Sequence, residues 1–115
     1  MFLGIDFGST KAVMAVTKRG GIDIVLNDST SRSTPVQVAF TDKERLAGEG
    51  VKPQINRNFK NTVIFPTRFI GLNTACVDQL ELEKRFTTCD VVEMENCKLG
   101  FKVKQMGVEY TLTVE

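Results

Sequence analysis

Residues Phe2 to Val16 read FLGIDFGSTKAVMAV. Two apolar runs flank a tight polar turn, so the stretch reads as strand, turn, strand. The turn carries an acid (Asp6), a glycine (Gly8), two hydroxyls (Ser9, Thr10) and a cation (Lys11). No helix signal follows it. That rules out a Walker-type loop, whose Gly-x4-Gly-Lys-Ser/Thr is absent, and a Rossmann fingerprint, which needs three glycines and a helix. What remains is a hairpin whose N–H groups and hydroxyls can cradle phosphate beside a carboxylate. The same residues also make an ordinary strand-end turn, because Asp bonds the local backbone and Gly tolerates positive φ.

The bulk properties narrow the function classes. At 115 residues the chain is at most one ordinary domain, or a piece of a larger one. Its 42% hydrophobic and 25% charged content is that of a globular chain. A chain of this length buries roughly two-thirds of its unfolded surface, enough for a modest core without staples. The net charge of +1 and the scattered basic residues give no nucleic-acid footprint. No apolar run approaches the ~20 residues of a membrane helix, and no secretory leader pattern follows Met1. Cys76, Cys89 and Cys97 are odd in number and lack metal-type spacing, and there is no histidine. A zinc site or a histidine-based triad is thereby excluded. Free thiols used as small apolar side chains, in a reducing compartment, are the expectation.

Along the chain, Gly20-Gly21 turns the hairpin into a third strand over Ile22 to Leu26, an antiparallel meander. Its first two strands are apolar enough to expect burial on both faces. Asn27 to Pro35 reads as a loop, Val36 to Phe40 as a strand, Thr41 to Glu44 as a hairpin loop and Arg45 to Ala47 as its partner. A helix can start only near Pro53. Pro66 opens one or two helical turns that Gly71 closes. From Asn73 to Phe86 a helix is expected, capped by Asn73 or Thr74, with Val77 and Leu80 on its buried stripe and a Glu81–Arg85 pair. A three-strand meander ends the chain. Its last strand places Val108, Tyr110, Leu112 and Val114 on one face. Because Glu115 follows that strand directly, a truncated or excised piece is expected.

Together these strings resemble the opening of the nucleotide-binding domain of the 70-kilodalton heat-shock chaperone family. GIDFGST at Gly4–Thr10 and IVLNDSTSRSTPVQVAFTDKERLAGEG at Ile24–Gly50 carry the likeness, with NTV at Asn61–Val63 and RFIG at Arg68–Gly71. Asn-Asp, an Arg four residues on, then Thr-Pro and Val-Ala-Phe in register are specific to that family. Sugar kinases and actin-like filament proteins share only the phosphate turn. The match is residue by residue to about Gly71 and topological beyond it. The large divergent relatives, of the 110- and 170-kilodalton kind, are the natural comparison.

The resemblance implies a mixed α/β, actin-like (ribonuclease-H-like) ATPase fold fragment. Residues 1–35 would open the inner subdomain of the first lobe, with antiparallel strands, and residues 36–115 would form a smaller outer α+β subdomain. It implies ATP or ADP with Mg²⁺ as cofactor of the whole domain. Asp6 would act through metal-bound water rather than as a direct ligand, and Gly8, Ser9, Thr10 and Lys11 would contact the phosphates. Where hydrolysing members carry a lysine, this chain has Thr67 behind Pro66, with Arg68 the nearest cation. Loss of such a charge costs roughly 10²–10³ in rate, so hydrolysis is expected to be slow. Whether the protein is an enzyme stays open, and the 115-residue piece is expected to be inactive and to bind no cofactor by itself. Implied partners are unfolded client proteins, co-chaperones or another heat-shock 70 chaperone in the cytoplasm, with no nucleic acid and no membrane. A sugar-kinase-like or actin-like ATPase, or a non-catalytic interaction module, is the alternative.

Overall fold

The computed structural model describes residues 1–115. Three strands form at the start, β1 Leu3–Phe7, β2 Lys11–Lys18 and β3 Gly21–Ile24. They pair antiparallel in the order β1-β2-β3, with Ile5 opposite Met14 and Ala15 opposite Ile24. The expected loop up to Pro35 ends earlier. Thr34–Pro35 is a two-residue strand, β4, set against Ala12 and Lys11 of β2. Proline is tolerated on such a short edge strand, and the next residue makes the following tie, the Val36 amide donating to the carbonyl of Thr10, just ahead of β2, at 2.9 Å. Asn27 organises the loop before it. Its Oδ1 accepts the amides of Ser29 and Ser31, and its Nδ2 donates to the Ser33 carbonyl and the Thr34 hydroxyl.

A second sheet follows. Strand β5 (Gln37–Phe40) pairs with β6 (Arg45–Ala47) through the Thr41–Glu44 hairpin, where the Thr41 amide donates to the Glu44 carbonyl. Helix α1 (Gln54–Arg57) starts directly after Pro53, as the proline requires. On the other side of β5 lies β7 (Thr62–Ile64), a strand that the sequence does not announce. Three residues are too few for an alternation signal. A 3-10 turn at Pro66–Phe69 and a left-handed Gly71 (φ 80°) match the expected start and stop.

Helix α2 spans Val77–Lys84, shorter than expected. Asn73 does not cap it. Its carboxamide oxygen accepts the Ala75 amide in a local turn, and the helix starts after Cys76. Val77 is exposed, and the buried stripe is Leu80 with Glu83. The expected Glu81–Arg85 pair is instead Glu81–Lys84, at 3.0 Å. The third sheet, β8 (Asp90–Glu93), β9 (Leu99–Gln105) and β10 (Val108–Thr113), runs in the order β10-β9-β8. The architecture is thus mixed α/β, with three antiparallel sheets and short helices.

Val63, Phe69, Leu80, Cys89, Leu99, Phe101 and Val103 make one core, in which Phe69 meets Phe101 edge-on at 5.3 Å. All of it comes from the second half of the chain. The first sheet is therefore left open on both faces. Leu3, Ile5 and Phe7 are 57–62% exposed on one side, and Ile22 and Ile24 are exposed on the other. The expected double-sided burial is not met within this chain. Of the cysteines, all free, only Cys89 is a buried apolar side chain; Cys76 is half-buried and Cys97 exposed.

Candidate functional site: the Gly8–Lys11 turn

The β1–β2 hairpin brings the candidate residues together in one turn. Asp6 sits opposite Val13, exposed, two residues before it. Ser9 and Thr10 are its exposed central residues, and Lys11 begins β2 opposite Pro35. The Gly8 amide donates to the Lys11 carbonyl at 3.0 Å and closes the turn. Gly8 is needed for space rather than for a left-handed backbone. A Cβ there would lie 3.0 Å from the Lys11 carbonyl oxygen, and its φ is not positive.

What such a turn can hold depends on which of its backbone groups are already bonded. Two of its carbonyls are already engaged by later parts of the chain. Gly8 accepts from the Thr67 hydroxyl at 3.4 Å, and Thr10 accepts from the Val36 amide at 2.9 Å. The amides of Ser9 and Thr10 have no acceptor. Two neighbouring free N–H groups with two hydroxyls make a small concentration of donors, the requirement for receiving an anion. A hollow of about 780 Å³ between Glu93, Met94, Lys102 and Thr113 lies elsewhere, on the β8–β9–β10 sheet, and contains none of these residues.

Thr67 reaches the turn because its neighbours are fixed. Phe65 stands at φ 54°, ψ 42°, a left-handed conformation costly for a bulky residue and more so before proline. The Arg68 guanidinium forks onto Glu83 of α2, with Nη2 to Oε1 at 2.7 Å and Nε on Oε2, and lies over the Phe86 ring. Phe69 is buried in the core. Three consecutive residues thus tie the 3-10 turn to the hairpin turn, to α2 and to the core. Arg68 is committed to Glu83 and is not a replacement cation for the turn. The Arg68 bond holds the Glu83 carboxyl below the usual range, and Glu83 pushes the Arg68 guanidinium up. Burial, followed by the Asp90 charge, raises the Cys89 thiol to about 11. Nothing in the sequence announced the Thr67–Gly8 contact, because the partners are 59 residues apart.

Likeness to known proteins runs along nearly the whole chain. The family model described as "Hsp70 protein" matches residues 2–114. A heat shock protein homolog of Eremothecium gossypii is 42% identical over 104 residues, covering 90% of this chain and 15% of that protein. Heat shock protein 88 of Dictyostelium discoideum is 33% identical over 98% of the chain and 14% of its own length. Heat shock protein 110 of Caenorhabditis elegans is also 33% identical, over the same shares. The chain therefore spans about one seventh of the length of the curated relatives it matches. It belongs to the Hsp70 family of heat-shock proteins, on the side of the family's large, divergent 110-type relatives.

Proposed function

We propose that this chain is the opening part of the nucleotide-binding domain of a heat-shock chaperone, with an actin-like fold when whole, and that its Gly8–Lys11 turn takes the terminal phosphates of ATP. The observation that carries this reading is the pair of free amides at Ser9 and Thr10, in a turn whose carbonyls at Gly8 and Thr10 are turned away by Thr67 and Val36. Residues 1–35 serve as the inner, phosphate-binding segment, and residues 36–115 as an outer subdomain. Ser9, Thr10 and the Lys11 ammonium supply donors, and Asp6 is placed to hold metal-bound water, since Mg²⁺ keeps most of its waters and takes few carboxylates. The nucleotide and Mg²⁺ would supply the phosphoryl chemistry; this chain orients one end of it.

Thr67, a neutral hydroxyl against this turn, cannot place positive charge on a developing phosphoryl transition state. The whole protein in this reading binds nucleotide and turns it over slowly, working as a holdase or exchange partner on unfolded clients alongside another heat-shock chaperone. A cytoplasmic setting accords with the three free cysteines.

Two measurements test this. With a single hairpin from the clamp, residues 1–115 show no ATP affinity at sub-millimolar concentration by calorimetry; a micromolar constant overturns the reading of the chain as a partial site. In a chimera carrying residues 1–115 in an ATP-hydrolysing relative, single-turnover hydrolysis falls by roughly 10²–10³, and Thr67→Lys recovers it. Unchanged turnover refutes the role given to Thr67.

A further inference from the structure

A peptide unit is planar and trans, so its C=O and N–H point in opposite directions. The Gly8 carbonyl and the Ser9 amide belong to one such unit. The Thr67 hydroxyl donates to that carbonyl at 3.4 Å, and in doing so fixes where the Ser9 N–H points. The next-but-one unit, Thr10–Lys11, is held the same way by the Val36 amide at 2.9 Å. That second tie is backbone to backbone. The first depends on one side chain and is attached to a glycine, the residue that most readily permits its peptide to flip.

We propose that Thr67 is a positioning residue that latches the Gly8–Ser9 peptide, keeping its carbonyl toward the Pro66–Phe69 turn and its N–H free for an anion. The proposal rests on the phosphate reading of the turn and deepens it. A flipped unit presents a carbonyl oxygen where a donor is wanted, so the latch separates a receptive turn from a repelling one. Its own position is set from three sides. Arg68 is forked onto Glu83, Phe69 is buried against Phe101, and the left-handed Phe65 delivers the chain into Pro66. The hydroxyl has one proton, and the Gly8 carbonyl takes it. Thr67 therefore acts through the peptide and is not itself a phosphate donor.

The test uses the 115-residue chain and amide NMR, with Thr67→Val removing the hydroxyl at nearly constant volume and Thr67→Ser restoring it. Without ligand, the Gly8 and Ser9 amides of the valine variant gain microsecond-to-millisecond exchange, the mark of a flipping peptide, while wild type and the serine variant stay sharp. Circular dichroism melts of all three coincide. Titration with millimolar tripolyphosphate then shifts the Ser9 and Thr10 amides. The valine variant binds about 2–10-fold more weakly, the range for one neutral hydrogen bond, and the serine variant binds as wild type does. Valine-variant amides as sharp as wild type, or serine failing to rescue, overturn the latch. Exchange appearing as described, with no shift in any variant on titration, keeps the latch as a feature of the turn and refutes its phosphate role.

Discussion

The β1–β2–β3 sheet and the core built on β9 and α2 follow the same rules of alternation and meet opposite surroundings. In the core, Phe69, Phe101 and Val103 are almost fully covered and the two rings pack edge to face. In the sheet, Leu3, Ile5 and Phe7 alternate just as well and remain more than half exposed. Ladder hydrogen bonds hold the sheet, while apolar burial holds the core. The candidate site sits on the former. Its geometry therefore depends on a few bonds from outside, those of Thr67 and Val36, rather than on packing around it.

The largest effect expected from this contrast comes from truncating one phenylalanine on each side. Phe69→Ala removes a buried ring and leaves a cavity, costing about 3–5 kcal/mol. Phe7→Ala removes a ring that water already reaches, and its effect stays within about 0.5 kcal/mol. Urea unfolding followed by circular dichroism reads both. A comparable loss for Phe7 would mean that the sheet is covered in solution and would break the comparison.

A smaller effect sharpens it on the core side. A Cβ at Gly100 would meet the Met94 sulfur at 2.5 Å, and both the Leu112 carbonyl and the Thr111 methyl at 3.0 Å. The sulfur can swing aside, but the carbonyl belongs to the neighbouring strand. Gly100→Ala in β9 is expected to cost about 1–3 kcal/mol as overpacking. The opposite sheet tolerates the same change at Gly4, where a Cβ would meet nothing nearer than the Ala15 carbonyl at 3.9 Å. Thermal melts of the two variants, side by side, measure the difference.

What was legible in the sequence follows the same division. Strands marked by a long apolar run, such as Lys11–Lys18, or by alternation, such as Val108–Thr113, were readable, as were turns whose chemistry is local, such as Thr41–Glu44 and Pro66–Phe69. Thr62–Ile64 and Thr34–Pro35 were not, because strands of two or three residues exist only through their partners β5 and β2. Helix α2 looked longer and differently capped, since Asn73 spends its side chain on a turn of its own. Glu83, charged and in the last turn of α2, gave no sign of burial; only Arg68, 15 residues earlier, makes that burial tolerable. The turn at Gly8–Lys11 was visible as residues, and its two outside ties were not. Side-chain contacts across 59 residues leave no periodic trace.

The smallest expected effect is on pH dependence, and it separates two kinds of support within the core. Glu83 has a lowered pKa when folded, so its contribution to stability is complete above the ordinary glutamate value of about 4.3 and is lost as pH falls below it. Cys89 is raised to about 11 when folded, against about 8.5 in an unfolded chain. The unfolded state gives up that proton first, so stability declines as pH rises from about 8.5 toward 11. The two arms differ in cause. The acid arm comes first from the hydrogen bonds that Arg68, 40% exposed, donates to the buried Glu83, and then from their charge attraction, the part that 0.5 M salt should trim. The alkaline arm comes chiefly from desolvation, which salt does not screen. Melting temperature against pH, at low and high salt, should show an acid limb that Glu83→Gln flattens and an alkaline limb that Cys89→Ala flattens. An alkaline limb that shrinks with salt, while the acid limb does not, would reverse the assignment of charge pairing to Glu83 and burial to Cys89.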